Sequence, residues 1–234
     1  NVSSNHLYLF IMQMVRIRMK WKKFMPPLII LAGPTTSKKS DTAIELAEKM
    51  NSEIISADSM QVYKYFNIGT AKVTPADRAR VPHYLIDILE PDQEFSAFDF
   101  KAKALTQTRK LHRQGKIPII TGGTGLYIKV LCEDYDCAVQ INPEIKKQVQ
   151  SDILTKGLIK MHEELQQIDP NSAERISSLD TQRIERAISV FRQTGVPFSE
   201  FSQIKSKPNY EFPIYTFLIE RNRKELYTNI NQRV

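Results

Sequence analysis

Between residues 28 and 40 the chain reads LIILAGPTTSKKS, a stretch whose residue types handle phosphate. Five apolar residues run into Gly33 and Pro34. Thr35, Thr36 and Ser37 follow, then Lys38, Lys39 and Ser40, with a helical pattern from Asp41. The spacing is that of a phosphate loop, G-x-x-x-x-G-K-[ST], with Lys38 standing where the second glycine is normal. In such a loop the backbone N–H groups of residues 35–40 point at a diphosphate from a helix N-terminus. Lys39 would neutralise phosphate charge, and the Ser40 hydroxyl would hold Mg²⁺. The same residues also describe a polar turn with two solvated lysines, and the loop by itself leaves both readings open.

The elements that must position this loop follow from the periodicity. Apolar runs at 28–32, 53–57, 84–89, 117–121 and 213–218 predict strands. Residues 39–50 predict a helix with Ile44, Leu46 and Ala47 on its apolar side, and Ser96 caps a longer one that Gly115 stops. Alternating strands and helices predict an α/β fold, a P-loop NTPase-like parallel sheet with helices on both faces. Ligands of such sheets bind at the carboxyl ends of the strands. Gly33, then Asp58 and Ser59, then Thr124 behind Gly122 and Gly123, would gather there. From 135 to 203 strand runs give way to helical segments punctuated by Gly157, Pro170, Gly195 and Pro197. The expected organisation is an α/β core of 25–134 and 204–234, interrupted by a helical insert of 135–203.

With 234 residues, 41% of them hydrophobic and 25% charged, the chain has the composition of an ordinary globular protein with a sizeable core. Cys132 and Cys137 are too few and wrongly spaced for a disulfide framework or a zinc site, which favours a reducing compartment. The net charge of +7 is uneven. Residues 1–24 hold Arg16, Arg18, Lys20, Lys22 and Lys23 and no acid, leaving only +2 for the rest, so overall basicity does not argue for nucleic acid. From 101 to 132 seven Lys and Arg stand with no Asp or Glu, either a surface that steers a polyanion or one solvated helix face. The first 24 residues do not read as part of the fold. Their apolar piece, 7–15, is too short to span a bilayer, and its basic flank follows it, the wrong order for a secretory signal. They read as sequence upstream of a start at Met25, giving a cytoplasmic protein, or as an organelle transit peptide.

Six stretches together resemble one family, the tRNA dimethylallyltransferases (tRNA isopentenyltransferases). They are Gly33-Pro34-Thr35, IISADSMQVYKYFNIGTAK at 54–72, VPHYLIDILEP at 81–91, GGTGLYIK at 122–129, DTQRIERA at 180–187 and RKELYTNINQRV at 223–234. The resemblance implies transfer of a dimethylallyl group from dimethylallyl diphosphate to the exocyclic amine of the adenosine just 3′ of the anticodon, with Mg²⁺. The implied partners are that diphosphate and the anticodon stem-loop of tRNA, with no membrane and a monomeric protein. The loop residues Gly33, Pro34, Thr35, Thr36, Ser37, Lys38, Lys39 and Ser40 would then hold a prenyl diphosphate, although loop physics suits a nucleotide such as ATP equally. By resemblance Asp58 accepts the amine proton as the new bond forms. Thr124 donates to the bridging oxygen of the diphosphate, and Lys39 and Ser40-bound Mg²⁺ stabilise the leaving group. Asp58, Ser59, Met60 and Gln61, with Thr124, match one tRNA-contacting segment. Gln182, Arg183, Ile184, Glu185 and Arg186 match the other, and Lys146 falls where the family uses a basic residue. Without the resemblance, Asp58 is a helix cap, Thr124 a turn residue and His83 a structural histidine, while Arg183 and Arg186 pair with Asp180 and Glu185 on a helix surface.

Two departures from the family pattern bear on activity. Lys38 brings a Cβ and a long side chain to where backbone should approach phosphate, and strain there costs about 1–3 kcal/mol. The chain also stops in mid-pattern at residue 234, as a fragment or a truncated core would. These departures sustain the alternative of a catalytically impaired tRNA-binding relic. A small-molecule P-loop kinase is a third reading, but it leaves the 58–63 motif and the helical insert unexplained.

Overall fold

The computed structural model describes residues 9, 13, 26–135, 139–201, 204–206 and 208–233. The expectation for 1–24, apart from positions 9 and 13, and that for Cys137 lie outside the described residues. The chain divides into two compact units, one running to Cys132 and resuming at Pro208, the other Glu133–Lys207.

The first unit is built on β1 (Leu28–Ala32), α1 (Lys39–Lys49), β2 (Ile54–Ser56), α2 (Pro75–Arg80), β3 (His83–Tyr84), α3 (Ala97–Arg113), β4 (Ile119–Gly122) and α4 (Gly125–Cys132). The second holds β5 (Asp134–Tyr135), α5 (Pro143–Lys156), α6 (Leu158–Ile168), α7 (Pro170–Arg175), α8 (Thr181–Thr194), α9 (Phe198–Phe201) and β6 (Ile204–Ser206). The chain then returns to the first with β7 (Ile214–Leu218) and α10 (Arg223–Arg233).

The sheet of the first unit runs β3-β2-β4-β1-β7, and every pairing in it is parallel. That arrangement explains the continuous apolar run of β1, since a central parallel strand is covered on both faces. Ile29 and Leu31 pack with Ala43, Ile44 and Ala47 of α1, while Leu28 and Ile30, on the opposite face by alternation, are equally buried. α4 packs on β1 and against α3, where the rings of Phe100 and Tyr127 stack with centroids 4.4 Å apart. The Ser96 capping box that starts α3 is formed, with Asp99 returning the bond.

One predicted strand is cut short. The run at 84–89 continues β3 only to Tyr84, because Leu85 and Asp87 take left-handed backbone, φ 62° and 55°. The amides of Asp87 and Ile88 pair instead with the carbonyls of Gln61 and Val62. α2, capped by Thr74 with Pro75 at its first position, is an addition to the predicted elements.

In the second unit Ile184, Ala187 and Ile188, spaced for one helix face, pack with Met161, Leu165 and Val149. β5 and β6 form an antiparallel pair, so this unit is not purely helical, and it begins and ends slightly outside 135–203.

Candidate active site

The phosphate loop leaves β1 at Ala32. A Cβ on Gly33 would stand 2.8 Å from Ser37 Oγ and 2.9 Å from the Ile219 carbonyl, so only glycine lets the turn close. Thr36 and Lys38 both adopt left-handed backbone, φ 63° and 62°. Lys38 is also the N-cap of α1 and gives no side-chain cap, so the first-turn N–H groups are left to an anion. Lys39 Nζ donates to the Pro34 carbonyl at 3.2 Å and lies close over Gly123. Ser37 is buried behind the loop, with its Oγ unpartnered, while Ser40 is exposed on the first turn of α1.

Two further strand ends are stitched together beside it. After β2, Asp58 Oδ1 accepts the backbone N–H groups of Met60 (2.9 Å) and Gln61 (3.2 Å). After β4, the Thr124 N–H donates to the Ala57 carbonyl at 3.1 Å, and Thr124 Oγ1 accepts from the Ser59 N–H at 2.9 Å. The two hydroxyls, Thr124 and Ser59, lie 3.2 Å apart. Any side chain at Gly122 would collide with the Ala57 carbonyl, which is why the chain passes here as glycine.

Loop and strand ends open on one cleft of about 1350 Å³. Thr35, Thr36, Lys38, Lys39 and Ser40 line one side, and Asp58, Met60 and Gln61 another. Gly33, Pro34, Ser37, Ser59 and Thr124 stand outside its lining. His83 also lines the cleft. Burial holds its imidazole below the ordinary value, against the raising effect of a 2.7 Å contact between Nδ1 and the Val81 carbonyl.

The second unit sorts its expected RNA contacts. Gln182 and Arg183 are exposed on the first turn of α8, and Arg183 Nε sits 3.5 Å from Asp180. Ile184 is fully buried in that unit's core, where its side chain packs. Glu185 accepts from Gln150 at 3.0 Å, and Arg186 donates to the Val139 carbonyl at 2.8 Å, not to Glu185. Lys146 is partly buried on the first turn of α5. In the basic run of 101–132, Arg109 pairs with Glu211 at 2.7 Å and Lys116 with Glu53.

A family model described as IPP transferase matches residues 61–234. The chain belongs to the IPP transferase family. It is 42% identical over 208 residues to a tRNA dimethylallyltransferase of Syntrophobacter fumaroxidans, covering 89% of this chain and 61% of the relative. It is 45% identical over 210 residues to one of Carboxydothermus hydrogenoformans, covering 88% and 67%. The chain thus spans about two thirds of the length of these curated relatives. Among solved structures, a tRNA isopentenylpyrophosphate transferase of Staphylococcus epidermidis matches with TM-score 0.54 and 40% identity, over 89% of this chain and 68% of that one. A eukaryotic dimethylallyltransferase acting on tRNA matches with TM-score 0.70 and 28% identity, over 89% and 52%.

One residue of this IPP transferase family site escapes sequence reasoning. Arg221 Nε donates to the Ser37 carbonyl at 3.0 Å while its guanidinium pairs with Glu225 at 2.7 Å. Thr36 Oγ1 likewise reaches the Leu226 carbonyl at 3.5 Å. These contacts bridge 184 and 190 residues, and no local spacing signals them.

Proposed function

We propose that this chain transfers a dimethylallyl group from dimethylallyl diphosphate to the exocyclic amine of the adenosine 3′-adjacent to the anticodon in tRNA. The observation that carries the reading is that a phosphate loop and a strand-end carboxylate, Asp58, line one cleft. The names of the relatives support the same chemistry. The amine nitrogen attacks C1 of the dimethylallyl group, the C1–O bond breaks, and its electrons leave with the diphosphate. The amine proton passes to Asp58, whose Oδ1 is held by two backbone N–H groups while Oδ2 serves as acceptor. Lys39 and the uncapped first turn of α1 take up the diphosphate charge. Thr124 Oγ1 accepts from the Ser59 N–H and gives its own proton to Ser59 Oγ, a bond that hydroxyl would exchange for one to the bridging oxygen when the diphosphate binds. The target base must leave its stack to enter such a cleft. Gln182 and Arg183, exposed on α8, are the contacts we assign to the anticodon stem-loop.

Mg²⁺ fits this site in the manner usual for phosphate loops. Among the described residues no group of three His, Cys, Asp or Glu could hold a metal ion. The exposed Ser40 hydroxyl would supply one protein ligand, with diphosphate oxygens and water as the others. When bound, the ion neutralises charge on the departing diphosphate. Nothing in the relatives favours the alternative of an impaired tRNA-binding relic. Incubation of unmodified tRNA with radiolabelled dimethylallyl diphosphate and Mg²⁺ tests the proposal. Label should appear at the adenosine next to the anticodon, and tRNA that binds without acquiring label would establish the relic instead.

A further inference from the structure

The cleft has a rim for which the chemistry above has no use. Tyr65, Phe66 and Ile68 line the same cleft as Asp58, yet they are 72%, 41% and 95% exposed. Large apolar side chains so exposed, and so close together, mark a surface that something covers. Tyr65 moreover holds a left-handed backbone, φ 68°, which a bulky residue adopts only when its surroundings impose it.

The surroundings do impose it. Lys72, whose side chain is only 5% exposed, donates from Nζ to the Tyr63 carbonyl at 2.7 Å and to Asp87 at 2.6 Å. Arg78 binds the other oxygen of Asp87 at 2.6 Å. Gln61 Nε2 donates to the carbonyls of Thr70 and Ala71, each at 3.3 Å, and the Gln61 N–H is bound by Asp58. The rim is therefore tied at both ends, and one tie leads directly to the carboxylate. The Phe66 ring lies tilted against Tyr63, with centroids 6.1 Å apart, and so backs the segment.

We infer that this rim, with Tyr65 at its centre, is a stacking platform for an unpaired RNA base next to the one that enters the cleft. The inference rests on the reading of the chain as a tRNA-modifying enzyme and names which part of the RNA the rim takes. A five-carbon prenyl group needs an enclosed apolar slot, and side chains 72% and 95% exposed enclose nothing. A flat ring presented to solvent instead offers one face to a base, the usual way in which splayed single-stranded RNA is held. The segment 59–76 carries Lys64 and Lys72 and no Asp or Glu, so no carboxylate of its own opposes an RNA backbone. Both lysines are engaged by Glu90 and Asp87, which makes stacking, and not phosphate pairing, the contact this segment supplies.

The test uses the full chain and an unmodified anticodon stem-loop RNA carrying 2-aminopurine in turn at each nucleotide flanking the target adenosine. Tyr65→Ala should weaken RNA binding about 5- to 150-fold, the range of one lost base stack. The KM for dimethylallyl diphosphate should stay within about twofold, because the diphosphate loop is untouched. Tyr65→Phe, which keeps the ring, should restore RNA affinity. Fluorescence of one flanking 2-aminopurine should be quenched on binding wild type and Tyr65→Phe, but not Tyr65→Ala. Ile68→Ser gives a second variant should Tyr65→Ala fail to fold, with the same expected direction. Unchanged RNA affinity and quenching in folded Tyr65→Ala and Ile68→Ser overturn the inference while leaving the transferase reading intact. A raised KM for dimethylallyl diphosphate with unchanged RNA affinity also overturns it, by assigning the rim to the prenyl group. Absence of RNA binding by the wild-type chain overturns both.

Discussion

Lys38 occupies a backbone conformation that costs a non-glycine residue about 1–2 kcal/mol. Its ammonium, exposed to water at the cleft, can return only about 1 kcal/mol of attraction to a phosphate near 4 Å. Leaving the binding conformation relieves that strain, so the lysine favours an open loop. Lys38→Gly is expected to tighten dimethylallyl diphosphate binding by up to about fivefold and to raise transfer. The dissociation constant at fixed Mg²⁺ decides it, and weaker binding by the glycine form would make Lys38 a working ligand. Asp58 offers a different signature. Asp58→Ala should leave tRNA binding within a few-fold and slow single-turnover transfer by about 10²–10⁴, the scale of a lost proton acceptor. An unchanged single-turnover rate would remove Asp58 from the mechanism. Neither residue could be placed by its type alone. The loop spacing located Lys38 but not its left-handed backbone, and Asp58 alone reads as a cap, a geometry its Oδ1 does adopt.

Among the elements, α8 carries in its first half two arginines, Arg183 and Arg186, whose surroundings separate their roles. Arg183 is exposed and only loosely held by Asp180. Arg183→Ala should weaken tRNA binding and lower the salt slope by about 1, as one phosphate contact would. Wild-type affinity and slope in that variant would clear α8 of a part in gripping RNA. Arg186 holds the Val139 carbonyl, and its truncation should act on the stability of the second unit, by about 1–3 kcal/mol in urea unfolding. Equal exposure of the two on one helix surface is what sequence suggests, since nothing local reveals a carbonyl 47 residues away. The strand misread at 85–89 has a related cause. YLIDIL is apolar but for Asp87, yet the left-handed turns fall on Leu85 and Asp87 and not on glycine. Those turns are imposed by tertiary partners, Gln61 to the backbone and Lys72 and Arg78 to the carboxylate. The central strands and α1, by contrast, were legible because their burial is dictated by their own apolar pattern.

At the scale of the whole molecule, His112 in the core and His83 at the cleft contribute to its acid sensitivity near neutral pH. Burial holds His83 and His112 below the ordinary imidazole value, against the raising effect of the Val81 and Pro27 carbonyls. His112 is wedged edge-on to Phe212, with ring centroids 4.9 Å apart. With depressed folded values the unfolded chain takes up protons first. Their contribution is therefore whole above about pH 6.5 and declines as pH falls through the folded values. The urea midpoint should fall between about pH 7.5 and 5.5, and His112→Asn should flatten part of that fall. A midpoint constant over this window would show that neither histidine is protonated on unfolding. One feature of the topology reaches beyond the folded state. β1 lies between β4 and β7, and β7 reaches it, as Arg221 reaches Ser37 in the loop that follows it, from about 184 residues further along. At about 5–20 residues per second on the ribosome, that distance is roughly 10–40 s of synthesis. During that interval the strand LIIL, fully buried at maturity, has an unpaired edge of the kind that recruits other chains. The nascent chain thus passes through a window in which its most apolar strand needs shelter, and the loop that follows it acquires its last support only when that window closes.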